Sequence, residues 1–315
     1  KMKKFKSFLL IYILFFTAFG LYAQTDSAAV KKDTSYWSAG GINSLTFSQV
    51  SLKNWSAGGQ NSVSINGYLG LFADLRKERQ TWENSVDLAY GLIKQGDVHF
   101  TKSDDKLNFV TKYGYQINNN NQKWFFSGLL DFKTQFTNGF AGQERDSVIS
   151  RFMAPGYLVL GLGIDYKPSK VLSINYIPVT GKFTFVMDDR LSELGAYGVD
   201  PGSRSRAELG SFLRVKFKDE IIKNVKLDSR LELFTNYVEN FGNIDVNWQN
   251  GFVFKVNGWL TTNFFTQLIY DDDIDIEVDN NGDGTIDEIG PRVQFKSVLG
   301  AGATFTFGDD RKKKE

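Results

Sequence analysis

From about residue 42 onward the chain alternates apolar and polar side chains with a period of two, in segments of roughly 9 to 16 residues. The stretch from Val225 to Tyr237 shows it most clearly. Val225, Leu227, Leu231, Leu233 and Tyr237 share one face, with Ser229 and Thr235 between them, while Lys226, Asp228, Arg230, Glu232 and Asn236 share the other. Successive side chains of a strand point to opposite faces, so each such segment predicts a strand with one greasy and one charged side. Trp124, Phe126, Leu130, Phe132 and Phe136 oppose Ser127, Asp131, Lys133 and Gln135. Leu107, Phe109, Tyr113, Tyr115 and Ile117 oppose Asn108, Lys112 and Gln116. Further on, Ile244, Val246, Trp248, Phe252, Phe254 and Val256 oppose Asp245, Asn247, Gln249 and Lys255. The last segment sets Val293, Phe295, Leu299, Phe305 and Phe307 against Gln294, Lys296, Thr304 and Thr306. A face this rich in charge cannot form a dry core. It requires a wet or salt-bridged lumen, with the apolar face turned to lipid.

Strands are expected near 42–50, 62–77, 80–94, 105–118, 122–137, 155–167, 171–187, 206–218, 224–238, 243–256, 260–276 and 292–307. Alternate connections are short: Glu78-Arg79, Asn119 to Asn121, Pro168 to Lys170, Asp219 to Lys223, and Asn257-Gly258-Trp259. The others are mostly long: Gln95 to Asp104, Asn138 to Ala154, Asp188 to Ser205, and Val278 to Pro291, with 239–242 as the one short exception. Transmembrane barrels sort their connections in this way, into short periplasmic turns and longer external loops. The expected fold is therefore all-β, a transmembrane antiparallel up-and-down β-barrel of about 12 strands. A soluble sandwich explains the alternation but not the sorting. Pro178 interrupts an inner strand where the apolar phase changes from Leu172, Ile174 and Tyr176 to Phe183 and Phe185, which predicts a β-bulge. Trp82, Trp124, Trp248 and Trp259 fall near strand ends, where an aromatic girdle belongs.

Composition sharpens this picture. The chain has 28 Phe, 13 Tyr, 6 Trp and 30 Gly against 5 Pro. Its mean hydropathy is slightly negative. Aromatic and glycine richness at modest hydropathy suits a barrel, because only alternate residues meet lipid. Cysteine is absent, which removes disulfides and thiolate chemistry. Lys1, Lys3, Lys4 and Lys6 precede an apolar run from Phe8 to Phe19, and Ala23 offers a small residue before Gln24. This predicts a cleaved secretory signal over 1–23, a periplasmic segment over 24–41, the barrel over 42–307 and a polar tail over 308–315. Removal of the signal lysines leaves a slight acidic excess, so nucleic acid is not an expected partner. Outer-membrane lipid is expected, together with outer-membrane or periplasmic proteins.

Candidate chemistry is sparse. Trp37-Ser-Ala-Gly-Gly-Ile-Asn-Ser44 recurs as Trp55-Ser-Ala-Gly-Gly-Gln-Asn-Ser62 and reads as a turn motif, the first copy ahead of the opening strand. Asp279, Asn281, Asp283, Thr285, Asp287 and Glu288 surround Gly284 in a pattern close to the first two-thirds of a calcium loop. Gly290 stands where the bidentate Glu belongs. Two readings stand, a Ca2+ site that stabilises the last external loop, or a solvated acidic turn. The run from Asp271 to Glu277 continues an alternating strand into that loop. His99 is the single histidine, on an external loop close to Ser103 and Asp104. Barrel hydrolases generally need a histidine beside Ser or Asp, so no enzyme is expected, and a membrane-embedded hydrolase ranks third among functions. The lumen-lining candidates are Asp87, Lys112, Asp131, Lys133, Asp228, Arg230, Glu232, Lys255 and Lys296. Asp74, Glu83, Asp165, Glu208, Asp245, Arg76, Lys182, Arg214, Lys216 and Lys226 share the inward faces. The signs nearly balance, which favours salt bridges across a narrow or plugged lumen over a selective charged ring.

Several motifs carry a resemblance. Trp37-Ser-Ala-Gly-Gly, Asn54-Trp-Ser-Ala-Gly-Gly-Gln-Asn-Ser62, Ala154-Pro-Gly-Tyr157, Gly161-Leu-Gly-Ile-Asp-Tyr-Lys-Pro168, Thr180-Gly-Lys182 and Tyr270-Asp-Asp-Asp273 resemble a family of uncharacterised exported proteins of Bacteroidota. The resemblance implies an outer-membrane barrel and no particular activity. A channel or transport barrel is the leading expectation, and a structural or assembly subunit of an outer-membrane complex is the alternative.

Overall fold

The computed structural model describes residues 36–52, 60–119, 121–141, 147–278 and 286–308. Twelve strands close into one antiparallel barrel. In chain order these are β1 (Trp37–Val50), β2 (Ser62–Lys77), β3 (Gln80–Gln95), β4 (Thr101–Asn118), β5 (Asn121–Thr134), β8 (Gly156–Tyr166), β9 (Leu172–Phe185), β10 (Ser205–Ile222), β11 (Val225–Asn236), β12 (Asp245–Lys255), β13 (Leu260–Tyr270) and β16 (Gln294–Gly308). Four short strands lie outside the ring as two hairpins: β6 (Gly139–Ala141) with β7 (Ser147–Ser150), and β14 (Asp275–Val278) with β15 (Glu288–Pro291). Each barrel strand has the 9 to 11 residues that a tilted strand needs to cross a bilayer. Among the described residues no helix is long and apolar enough to do so.

The side-chain pattern is that of a barrel in lipid. Leu162 is 72% exposed, Leu299 63% and Phe126 59%, whereas Asp131 and Asp165 on inward faces are 1% exposed. Greasy residues outside and buried charges inside invert the order of a soluble protein. Trp37 and Trp82 meet near the short-turn end at 5.8 Å, and Trp124 stacks on Tyr166 at 4.2 Å. With Trp259 in the β12–β13 turn they form the expected girdle at that end; Trp248 sits farther up β12.

Some local expectations need correction. The first Trp-Ser-Ala-Gly-Gly copy does not precede the opening strand but builds it. Gly41 pairs with Phe307 and Leu71, and a Cβ there would come within 2.5 Å of the Gly70 carbonyl and 2.8 Å of the Phe307 ring. The glycine therefore lets the first and last strands approach and close the ring. Residues 53–59, with most of the second copy, lie outside the described set. The segment expected as one strand over 260–276 breaks after Tyr270, because Asp271 to Asp273 turn aside before the β14–β15 hairpin. The expected signal and most of the 24–41 segment also lie outside the described residues, as does the tail beyond Gly308.

The bulge at Pro178 is present. Ile177 and Thr180 both face inward and are fully buried, while Val179 between them is 63% exposed. The ladders to β8 and β10 shift register at this point. The Thr180 hydroxyl donates to the Ile177 carbonyl at 2.9 Å, and the Tyr237 hydroxyl donates to the Pro178 carbonyl at 2.8 Å. Both hydroxyls thus bond carbonyls at the bulge, where the ladder is locally disrupted.

The long connections on the loop side are ordered where described. Residues 186–204 hold a short helix, α1 (Asp189–Glu193), followed by a 3-10 turn over Ala196–Gly198. Ala154, Val186, Leu191 and Val199 bury together beneath them. The Asp188 side chain caps α1 by accepting from the Leu191 N–H at 3.0 Å, and Arg151 pairs with it at 2.6 Å. The Leu191 N–H first, then Arg151, hold the Asp188 carboxyl below its ordinary range. Tyr197 donates to the Ile149 carbonyl at 2.5 Å, and burial pushes its hydroxyl up to about 12. Two long loops are thereby bound into one cap.

Candidate functional site: the barrel lumen

The inward residues sort into three charged groups and one apolar cluster. Nearest the short turns, Lys112 reaches Asp165 at 2.7 Å and Glu83 at 3.1 Å, while Lys167 reaches Glu83 at 2.5 Å and Asp165 at 3.3 Å. Ser173 adds a hydrogen bond to Asp165 at 2.8 Å. Two cations and two carboxylates form a neutral square across β3, β4 and the β8–β9 turn.

The middle group joins five strands. Arg214 of β10 bonds Asp131 of β5 and reaches Glu232 of β11 at 2.8 Å. Lys133 holds Glu232 at 2.5 Å and Asp131 at 3.5 Å. Arg230 extends the network to Glu232 at 3.6 Å and Asp87 at 3.9 Å, and Asp87 accepts from the Tyr68 hydroxyl at 2.7 Å. Such charges tolerate burial only when paired and hydrogen-bonded. Here Asp131 and Glu232 each serve more than one cation, and Asp87 shares Arg230 with Glu232.

Toward the long loops the balance turns acidic. Lys182 binds Asp245 at 2.6 Å and reaches Glu208 and Asp271 at 3.4 Å. Arg206 binds Glu239 at 2.8 Å and Asp273 at 3.0 Å, and its guanidinium also donates to the Gly198 carbonyl of the cap. These two cations face more carboxylates than they neutralise.

Leu129, Ile177, Phe212 and Phe234 pack into an apolar cluster inside the barrel, with Val110 and Val159 against it. Arg214 lies over the Phe212 ring at 5.1 Å and Lys182 over Phe234 at 5.0 Å. Cations stacked on both aromatics tie the cluster to the charged groups on either side. On the opposite wall a neutral chain runs from Asn263 to Ser44 at 3.1 Å, Ser44 to Thr304 at 2.9 Å and Thr304 to Thr261 at 2.7 Å.

The inward candidates are therefore distributed. Asp87, Asp131, Lys133, Arg230 and Glu232 converge in the middle group. Lys112 belongs to the turn-side square. Lys296 crosses the lumen to Asp104 at 2.6 Å. Asp228 pairs with Lys218 at 2.9 Å, and Lys255 is exposed at the turn end. Sequence reasoning missed Lys106, Lys167 and the apolar cluster. Lys106 lies in phase with Asn108 and Lys112, so extending that strand by one residue finds it. Phe125, Leu129, Phe212 and Phe234 carried no such signal, because they sit beside outward apolar neighbours and blur the alternation.

Of the calcium-loop candidates, Asp279, Asn281, Asp283 and Thr285 lie outside the described residues. Asp287 donates its backbone N–H to the Val278 carbonyl at 2.9 Å, and Glu288 pairs with Arg292. No group of three or more His, Asp or Glu is placed to hold a metal among the described residues. His99 is exposed, the nearby Ser103 donates to Asn66, and Asp104 is taken by Lys296.

A closed ring of twelve antiparallel strands, apolar outside and charged within, defines a β-barrel of the outer-membrane class. A family described as "Protein of unknown function (DUF3078)" matches residues 47–140, from β1 into β6. The resemblance to an uncharacterised family is borne out to that extent. No curated protein matches the chain. Among solved structures, the COG4313 outer membrane channel from Pseudomonas putida F1 is 14% identical, covering 90% of this chain and 100% of its own, with a TM-score of 0.39. The translocator domain of autotransporter NalP from Neisseria meningitidis is 9% identical, covering 96% of each chain, with a TM-score of 0.34. The CymD monoaromatic hydrocarbon channel is 10% identical, covering 87% and 88%, with a TM-score of 0.32.

Proposed function

We propose that this chain is an outer-membrane transport barrel whose lumen is closed at rest. The observation that carries this reading is the middle group, in which Arg214, Asp131 and Glu232 are nearly buried and Lys133 partly so, beside an apolar cluster in the lumen. Well-packed apolar side chains fill such a space at equal or lower cost than ion pairs. A lumen that keeps its charges is suited to admitting polar solutes once the cluster yields. Planar-bilayer recordings of the refolded chain test this. The unaltered barrel should show little conductance, and the Phe212→Ala/Phe234→Ala double variant should open steps of defined size. Silence from both proteins overturns the proposal.

A second reading, a docking subunit of an outer-membrane assembly, draws on the cap. Phe152 and Leu194 there are 54% and 67% exposed. Apolar residues held outward by an ordered loop suit contact with another protein. Purification in mild detergent that yields only the lone barrel counts against it.

A further inference from the structure

We propose that the middle of the lumen holds a small monovalent anion between Lys106 and Arg230. The Lys106 ammonium and the Arg230 guanidinium both donate to one oxygen, Gln249 Oε1, at 3.1 and 3.0 Å. Two cations converging on a single neutral acceptor repel each other, and the amide oxygen neutralises neither. Arg230 shares Asp87 and Glu232. Lys106 makes no ion pair within 4.0 Å among the described residues. The local group thus sets four cations, Lys106, Lys133, Arg214 and Arg230, against three carboxylates, Asp87, Asp131 and Glu232. Asp104 and Asp228, the nearest further carboxylates, are already paired with Lys296 and Lys218, so one positive charge of this group is left over.

An independent observation points to the same place. Asn108 is fully buried, and neither its amide nitrogen nor its oxygen has a hydrogen-bond partner among the described residues. It follows Lys106 on the inward face of β4 and pairs in register with Asp87 on one side and Lys133 on the other. A buried amide without a partner is costly, as is a buried unpaired charge. An anion among Lys106, Arg230 and the Asn108 N–H2 offsets the unpaired charge and gives the amide nitrogen an acceptor through charge-assisted hydrogen bonds. The surplus of one charge selects a monovalent species. The acidic mouth around Glu208, Asp245 and Asp271 repels anions, so access is easier from the neutral turn-side square. The site requires only the closed lumen and is independent of whether the barrel conducts.

The test uses the full chain refolded in detergent micelles, with thermal unfolding followed by heat-modifiable gel mobility. Sodium bromide is titrated against sodium gluconate at equal ionic strength, so that general screening cancels. Bromide should raise the unfolding midpoint in a saturable manner. Lys106→Gln should weaken that response by about tenfold or more, the loss expected for one charged hydrogen bond. Lys123→Gln, an exposed lysine beside a short turn, should keep it. Asn108→Asp supplies a fixed carboxylate in the site and should abolish the bromide response while retaining the heat-modifiable fold, which guards against misfolding of Lys106→Gln. Equal midpoints in bromide and gluconate mean that water alone fills the site, and overturn the proposal. So does a bromide response unchanged by Lys106→Gln and Asn108→Asp together.

Discussion

Strands β4, β5 and β8 to β11 face the lumen with different chemistry from β12, β13, β16, β1 and β2. The first wall offers Lys112, Asp131, Lys133, Asp165, Arg214, Arg230 and Glu232, with Leu129, Ile177, Phe212 and Phe234 among them. The second offers Ser44, Thr46, Thr261, Asn263 and Thr304, with Gly300 and Gly302 at close approach to β1. Long charged side chains crowd one side, and the other adds short hydroxyl and amide side chains with a few long ones such as Lys296 and Tyr68. Contacts that cross between the walls include Lys106 and Arg230 to Gln249, Lys182 to Asp245, and Lys296 to Asp104. Close packing demands this complementarity, since neither wall alone fills the interior. The walls also differ in how stability is held. The first relies on shared charges, where removal of one partner strands another. The second relies on neutral hydrogen bonds, each of modest net value.

The difference can be broken most strongly at its centre. Arg214→Met leaves Asp131 and Glu232 to Lys133 and Arg230, and should cost about 3 kcal/mol in urea unfolding from lipid vesicles. A loss under about 1 kcal/mol means that water screens the group and the first wall is not dry. Lipid-facing residues should ignore the distinction. Leu162→Arg on the first wall and Leu299→Arg on the second should each cost roughly 2 to 3 kcal/mol, because both place a charge in the same hydrocarbon. Unequal costs place one of these residues near an interface. On the second wall, Thr304→Val removes hydroxyl contacts to Ser44 and Thr261, and should cost only about 1 kcal/mol.

The smallest effect lies in the cap, outside both walls. The Asp188 carboxyl is held below its ordinary range, so it stabilises the cap fully above its unfolded value near 4. That contribution fades as pH falls through the lowered folded value. Protease nicking within 186–204 should therefore increase on acidification in the unaltered chain. Asp188→Asn should nick at a rate that changes little over the same pH range.

Much of the architecture was legible in the residues alone. Alternation located all twelve barrel strands, the sorting of short and long connections pointed to a barrel over a sandwich, and Pro178 with its phase change marked the bulge. These features are local: strand pleating ties each side chain to a face, and a turn or a proline acts on its own neighbours. The inward position of Asp131, Arg230 and Glu232 followed from the same rule. Where apolar residues occupy both faces, as at Trp124-Phe125-Phe126, the rule assigns no side, and the interior cluster stayed hidden. The glycines of the first Trp-Ser-Ala-Gly-Gly copy looked like a turn because their role, letting β1 close on β16, involves a partner more than two hundred residues away.

Composition and periodicity therefore determined that the chain forms a charged-lumen barrel, and roughly where each strand runs. Which charges meet was decided only by closure and by the stagger of the strands. Lys106 and Gln249 are 143 residues apart, and Lys133 and Glu232 are 99 apart. No local pattern encodes such a distance across a lumen. It arises because closing a ring of tilted strands fixes which inward side chains face one another, and the electrostatics of the interior follow from that geometry.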